Sequence, residues 1–305
     1  MDLTGTYHEP VMLRECLEGL QIDPEGIYVD VTFGGGGHTR AILDKLTTGR
    51  LLSFDQDPDA AENAKQFEGD KRFTFIAANF RHLKRYLKLY KADQVNGILA
   101  DLGVSSHQIN TPKRGFSTRF DADLDMRMNP AIEKTAAEVL NVRSAAELQR
   151  ILGMYGEVSN ARTAAEAIFS ARHNGPIQTI NDLKSILQRY APRHRENKYF
   201  AQVFQALRIE VNDELRVLEE FLEQVPEVLA PGGRLVVMSY HSLEDRLVKN
   251  FIGKGKFDGE AEKDFYGNVI KPLNSVTRKP IEAGQAEVAA NPRARSAKLR
   301  IAEKE

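Results

Sequence analysis

One cysteine in 305 residues, Cys16, is too few for a disulfide or a cysteine-based zinc cluster, and no metal site is expected. No apolar run approaches the roughly 20 residues that a membrane helix needs. The opening MDLTGTYHEP has neither the basic start nor the apolar stretch of a signal peptide. These absences point to the cytoplasm and away from a membrane. Net charge is missing too: 42 Lys and Arg stand against 43 Asp and Glu, a balance of −1. That excludes a protein that coats naked nucleic acid, so any such contact must use local basic patches. What is present is ordinary for a globular enzyme, with 42% hydrophobic and 28% charged residues. The chain is long enough for one sizeable domain and a smaller one.

Short apolar runs alternate with helical patterns over the first hundred residues. GIYVDVTF (26–33), RLLSFD (50–55), RFTFIAA (72–78) and VNGILADLGV (95–104) read as strands. Helical spacing follows each of the first three, as in Leu83, Tyr86, Leu87 and Tyr90. Such alternation implies βαβ units and a parallel, doubly wound α/β sheet. From Ser105 to Phe204 no convincing strand is legible. Ser144 and Glu147 form a capping-box pattern, and Asn181-Asp182 marks another helix start. VNDELRVLEEFLEQVPEVLA (211–230) reads as one helix with Val211, Leu215, Leu218 and Leu222 toward the core and an acidic face toward solvent. RLVVMSY (234–240) is a buried strand, SLEDRLVKNFIG a helix, 253–290 a long loop and SAKLRIAEK (296–304) a final strand. The expected organisation is a core of 1–104 and 209–305 interrupted by an all-helical insertion, 105–208.

VDVTFGGGGHTRAIL (29–43) places four glycines between a buried strand and a helix. That arrangement brings backbone N–H groups and a helix N-terminus close to a ligand. No Gly-Lys-Ser/Thr follows, which removes the Walker loop. The dinucleotide fingerprint wants Gly or Ala where the chain has Thr39 or Arg40, which weakens a nicotinamide cofactor without excluding it. A flexible turn is the plain alternative. Asp55, at the end of the second strand, can accept from both hydroxyls of a ribose. NAD enzymes and S-adenosylmethionine (SAM) enzymes share that feature. Its alternative role is to cap the helix that begins at Pro58, a task for which Asp57 is nearer.

VDVTFGGGGHTRAIL, SFDQDP, ILADLGVSSHQI with RGFS and DLDMRM, FQALRIEVNDEL, APGGRL, SYHSLEDR and NPRARSAKLR together resemble one family. It is the bacterial 16S rRNA (cytosine-N4)-methyltransferases, and the resemblance runs from His8 to the C-terminus. It implies a Rossmann-like SAM-dependent methyltransferase sheet with an inserted helical domain. It also implies methyl transfer to the exocyclic N4 of a cytidine in the decoding region of small-subunit rRNA. Carried onto this chain, the cofactor positions are Gly36, Gly37, His38, Asp55, Phe80, Asp101 and Gln108. Phe80 could pack on the adenine face, and Asp101 could reach the methionine ammonium or the adenine edge. His38 opens a helix whose dipole disfavours its protonation. The chain departs from the family at Gly35, where Arg is frequent, and at Asn197–Gln202, where a His-Pro-Ala-Thr-Arg-like stretch is frequent.

The sulfonium methyl is already activated, so alignment of the nucleophile is the main task. Acceptors on the amine protons would draw cytosine N4 toward a reactive geometry. The Asp/Asn-Pro-Pro-aromatic set of many amino-methyltransferases is absent, and Asp101, Ser105 and Ser106 are the substitutes, with His8 an outside candidate. C5 chemistry needs a cysteine that adds at C6. Cys16 instead shares a face with Met12, Leu13, Leu17 and Leu20 and reads as a core thiol.

RNA contacts are expected from Arg189, Arg193, Arg195 and Lys198, interleaved with His194 and Tyr199, and from Arg293, Arg295, Lys298 and Arg300. A solvated charged face is the alternative for each patch. The partner implied by the resemblance is 16S rRNA in the small ribosomal subunit. An NAD-dependent oxidoreductase and a non-catalytic ribosome-assembly RNA-binding factor are the competing readings. The sequence leaves the oligomeric state open, a homodimer included.

Overall fold

The computed structural model describes residues 10–305, so His8 lies outside the described residues. Eight strands form one sheet: β1 (Ile27–Asp30), β2 (Arg50–Asp55), β3 (Phe73–Ala77), β4 (Val95–Asp101), β5 (Leu229–Ser239), β6 (Asn274–Ser275), β7 (Ile281–Glu282) and β8 (Lys298–Glu303). Their order is β3-β2-β1-β4-β5-β8-β6, with β7 also on β8. The first five are parallel and β8 runs antiparallel to β5. Neighbouring residues along each strand enter opposite cores, because strand side chains alternate between faces. Val29, Leu52, Ile98 and Leu235 enter one core, and Tyr28, Leu51, Leu99 and Val236 enter the other. Burial on both faces explains why the parallel strands read as unbroken apolar runs.

The helices are α1 (Leu13–Leu20), α2 (Gly37–Leu43), α3 (Pro58–Ala64), α4 (Leu83–Leu89), α5 (Ser106–Asn110), α6 (Ala136–Val142), α7 (Ala145–Gly156), α8 (Ala161–Ala171), α9 (Ile180–Leu187), α10 (Glu196–Asn212), α11 (Glu214–Val228), α12 (Ser242–Lys254) and α13 (Gln285–Ala290). The chain divides into two compact units, one ending at Gly103 and resuming at Leu215–Glu305, the other Val104–Glu214. In the first unit β1, β2 and β3 step outward in one direction. β4 then returns to the other side of β1. A crevice opens at such a reversal, at the carboxyl ends of β1 and β4. The second unit is helical, and its only extended pairing among the described residues is an isolated bridge, Asp123 to Thr179. It has its own core, including Leu148, Leu152, Ile168, Leu183, Val203 and Leu207.

Ser144 and Glu147 do close a capping box on α7. At α9 the start differs from the sequence expectation. Thr179 is the cap and Asp182 closes a box back onto it, so the helix begins before Asn181. Residues 211–230 are also not one helix. Asp213 takes a left-handed conformation (φ 56°) and separates α10 from α11. The Asn212 amide is drawn sideways, accepting from Met128 N–H at 2.7 Å and donating to Met126 C=O at 2.7 Å. Val211 therefore serves the helical core, while Leu218 and Leu222 serve the sheet. The acidic face of α11 is partly engaged, since Glu220 accepts from Arg81 at 2.7 Å. The expected loop 253–290 also carries β6, β7 and α13.

β8 is tied to α12 by Arg300, whose guanidinium pairs with Asp245 at 2.7 and 3.1 Å. Only 12% and 13% of the two side chains are exposed. Arg300 is therefore structural and not a free RNA contact, because its charge is already spent in a largely desolvated bidentate pair. Breaking such a pair leaves an uncompensated charge. Asp245→Ala should lower unfolding free energy by about 3 kcal/mol, measured by urea denaturation, whereas a change below about 0.5 kcal/mol would mark an ordinary surface pair.

Candidate functional site

The strand-to-helix turn after β1 is held open by glycine for specific reasons. Gly34 and Gly36 have φ of 53° and 80°, a region costly for other residues. A Cβ at Gly36 would sit 2.8 Å from the Phe67 ring and 2.9 Å from Phe33, and one at Gly37 would sit 2.5 Å from Pro10 Cγ. A Cβ at Gly35 meets nothing within 4 Å. The departure from the family at position 35 thus costs the fold nothing, since that position opens outward.

Acidic residues end three strands around this turn. Asp30 is buried and accepts from Thr39 Oγ1 at 2.8 Å and from Thr32 N–H at 3.1 Å. Asp55 accepts from Gly34 N–H at 2.8 Å and from Asp57 N–H at 2.9 Å, which ties the glycine loop to β2. Asp57, not Asp55, caps α3, accepting from Asp59 N–H. Burial pushes the Asp30 and Asp55 carboxyls up to about 6, against the hydrogen bonds that they accept.

Asp101 ends β4. Its N–H donates to Thr32 Oγ1 at 2.7 Å, and its Oδ1 accepts from the Tyr240 hydroxyl at 2.7 Å. Oδ2 lies 3.8 Å from His38 Nδ1. Burial pushes the Asp101 carboxyl up to about 7; the Tyr240 hydrogen bond opposes this, and the charges of Asp30 and Glu244 add to it. His38 is buried, which lowers it to about 4 and keeps it neutral near pH 7. Its Nε2 is 3.3 Å from the Val11 carbonyl. A carbonyl only accepts, so Nε2 carries the proton and Nδ1 presents a lone pair to Asp101.

Phe80 lies just after β3, half-buried and edge-on to Phe221 at 5.3 Å. Ser105, Ser106 and Gln108 belong to the second unit. Ser105 caps α5 through its hydroxyl, and the Gln108 side-chain oxygen accepts from Ser105 N–H at 2.9 Å. Both therefore have a local structural task. Cys16 is fully buried, and burial raises its thiol well above the ordinary range. No thiolate is available there for attack on a base.

Arg189, Arg193, Arg195 and Lys198 are exposed, and among the described residues none is held in an ion pair. Arg189 lies over the Tyr190 ring at 4.7 Å. Tyr199 departs from the sequence expectation: it is 3% exposed and packs in the helical core, unable to offer a face to a base. Arg293 and Arg295 sit on the turn Pro292–Ser296. Arg295 and Lys298 line a cleft of about 250 Å³ with Tyr240, His241, Ser242 and Glu282. Asp30, Thr32 and Tyr240 join the site without standing out as candidates in the sequence, and Thr39, there a mismatch to the dinucleotide fingerprint, proves to hold Asp30. Asp30 was visible as an acid closing an apolar strand, whereas Tyr240 carried no signal beyond its motif.

A parallel 3-2-1-4-5 sheet with an antiparallel strand beside β5, a glycine turn after β1 and an acid ending β2 define an S-adenosylmethionine-dependent methyltransferase. The chain matches the MraW methylase family over residues 5–305. It is 60% identical over 98% of its length to the whole of ribosomal RNA small subunit methyltransferase H from Cytophaga hutchinsonii. It is 54% identical, over the full length of both chains, to the protein of the same name from Flavobacterium johnsoniae. The chain belongs to the MraW methylase family, and the nicotinamide alternative falls away.

The sterics of the loop separate its glycines. Gly36→Ala should weaken SAM binding about five- to thirtyfold through strain of about 1–2 kcal/mol at positive φ, while Gly35→Ala should bind as wild type. Calorimetric titration of the two variants checks this, and equal affinities would mean that the loop is simply flexible.

Proposed function

We propose that the protein transfers a methyl group from SAM to the exocyclic N4 of a cytidine in the decoding region of 16S rRNA. The observation that carries this is full-length identity of 54–60% to proteins named as small-subunit rRNA methyltransferases. The buried, protonated state of Cys16 agrees with it, because the competing C5 chemistry has no nucleophile.

The residues present fit the cofactor. Gly36 and Gly37 let the turn pack closely on Phe33, Phe67 and Pro10 and so fix the loop that would meet the cofactor, Asp55 retains lone pairs for the ribose hydroxyls, and Phe80 offers a ring beside β3 for the adenine. Asp101 and His38 supply acceptors for the methionine ammonium, and Gln108 completes the set. SAM supplies an electrophilic methyl that needs no further activation. The protein then has to hold the amine in line and accept its proton. The segment from Asp101 through Ser105 and Ser106 provides those acceptors, with Ser105 and Ser106 following the carboxylate at the exit of β4.

The helical unit reads the RNA. The target base must leave its stack to reach the methyl, and something must grip the flanking phosphates. Arg189, Arg193, Arg195 and Lys198 are the exposed cations for that task, and Arg293 and Arg295 form a second basic group outside the helical unit. The working compartment is the cytoplasm, where small subunits are.

Nucleoside mass spectrometry of small-subunit rRNA, with and without the protein, tests the reaction: N4-methylated cytidine should depend on it. An unchanged profile together with retained subunit binding would make it an assembly factor instead. Neutralising Arg189, Arg193, Arg195 and Lys198 together should leave SAM affinity intact, weaken subunit binding and reduce its salt slope by up to about four. If binding and slope both survive, the cluster is a solvated face.

A further inference from the structure

The contact between His38 and Asp101 contains an unresolved pairing. His38 Nδ1 bears a lone pair, because its other nitrogen donates to the Val11 carbonyl. An ionised Asp101 would present a second acceptor to it across 3.8 Å. Two acceptors face each other there, and the nearby charges offer no relief. Asp30 of β1 and Glu244 of α12 face Asp101 as acids, and Cys16 of α1 is a neutral thiol. Tyr240, just after β5, donates to Oδ1. Among the described residues no cation is near enough to move the Asp101 carboxyl. A donor between Oδ2 and Nδ1 resolves the arrangement, and there are two sources for it: a proton on Asp101 itself, or an ammonium group on a ligand.

We propose that Tyr240 is a positioning residue that pins Asp101 by Oδ1, so that Oδ2 exchanges its own proton for the ammonium of the bound methionine moiety, and cofactor binding releases a proton. This rests on the placement of SAM at Asp101 given above. The exchange balances as follows: a protonated Asp101 carboxyl and a ligand ammonium become a carboxylate–ammonium pair, and one proton passes to the buffer. His38 Nδ1 accepts from the same ammonium. Tyr240 matters because its hydroxyl favours the ionised carboxylate that the ammonium requires. The direction agrees with burial, which holds the free Asp101 carboxyl up to about 7. Cofactor affinity then rises with pH through that region, until the ligand ammonium itself begins to lose its proton at about pH 8.

Calorimetric titration with SAM in two buffers of different ionisation enthalpy, from pH 6 to 9, reads the released proton directly. The wild type should release about half a proton per SAM near pH 7, and progressively less toward pH 9. Methylthioadenosine, which lacks the ammonium, should release none. Tyr240→Phe should raise the Asp101 midpoint by about one unit, which lowers SAM affinity about fivefold at pH 7, with recovery toward wild type at pH 9. Asp101→Asn should bind without proton release at any pH. The ligand-free protein gives an independent readout: the Asp101 carboxyl carbon, followed by NMR, should titrate near 7 and higher in Tyr240→Phe. If Tyr240→Phe fails to fold, the wild-type comparison of SAM with methylthioadenosine and the ligand-free titration still decide. No released proton in the wild type, equal release with methylthioadenosine, or an unmoved midpoint in Tyr240→Phe overturns the proposal. Failure of the wild type to bind SAM at any pH overturns instead the cofactor placement on which it rests.

Discussion

The burial of acidic side chains at the carboxyl edge of a parallel sheet is the constraint around which this molecule is arranged. Asp30, Asp55 and Asp101 are each pushed above the ordinary carboxylate range there by full or partial burial, with the Asp101 side chain keeping 26% of its surface exposed. Each is offset by a different device. Asp30 is held by two threonines, Asp55 by backbone amides of the glycine loop and the following turn, and Asp101 by one tyrosine. The first two arrangements fix the loop and the strand ends. The third leaves one carboxylate oxygen facing a neutral imidazole. The three acids thus differ in how much acceptor capacity they keep, from Asp30, held by two threonines, to Asp101, whose Oδ2 has no close hydrogen-bond donor.

The glycine run follows from the same geometry. Gly34 must bring its N–H to Asp55, and Gly36 must turn the chain into α2 against two phenylalanine rings. Gly35 has no such duty. Of the four glycines, position 35 alone combines an ordinary φ with open space where a side chain would stand.

Much of this was legible before any coordinates. Strand positions could be read because both faces of the sheet are buried, which leaves apolar runs such as LVVM and ILA with nothing polar to confuse the period. The family motifs then supplied the cofactor positions proposed above. Other features depended on contacts that no local pattern encodes. The break at Asp213 is set by Asn212 reaching Met126 and Met128, more than eighty residues away in sequence. The α9 start was misplaced because Asn181-Asp182 resembles a cap, whereas Asp182 is the reciprocal partner of Thr179. Tyr240 could not be singled out, since its role exists only where the ends of β4 and β5 meet. Arg300 and Tyr199 looked like surface residues by their basic neighbours, and burial decided otherwise.

The departure at Asn197–Gln202 bears on where RNA contact can reside. This stretch forms the first two turns of α10, with Tyr199 and Phe200 turned into the helical core and Asn197, Lys198 and Ala201 outward. Gln202 donates to the Glu157 carbonyl at 3.1 Å and is also committed. A helix face in this position has one cation to offer, Lys198. The remaining positive charge lies just upstream, where Arg193 and Arg195 flank His194 in a left-handed turn (φ 63°). Side chains on such a turn fan out from a short arc, while those on a helix repeat along a line. The positive charge of this region therefore gathers at the turn, and the outer face of the first turns of α10 carries little of it.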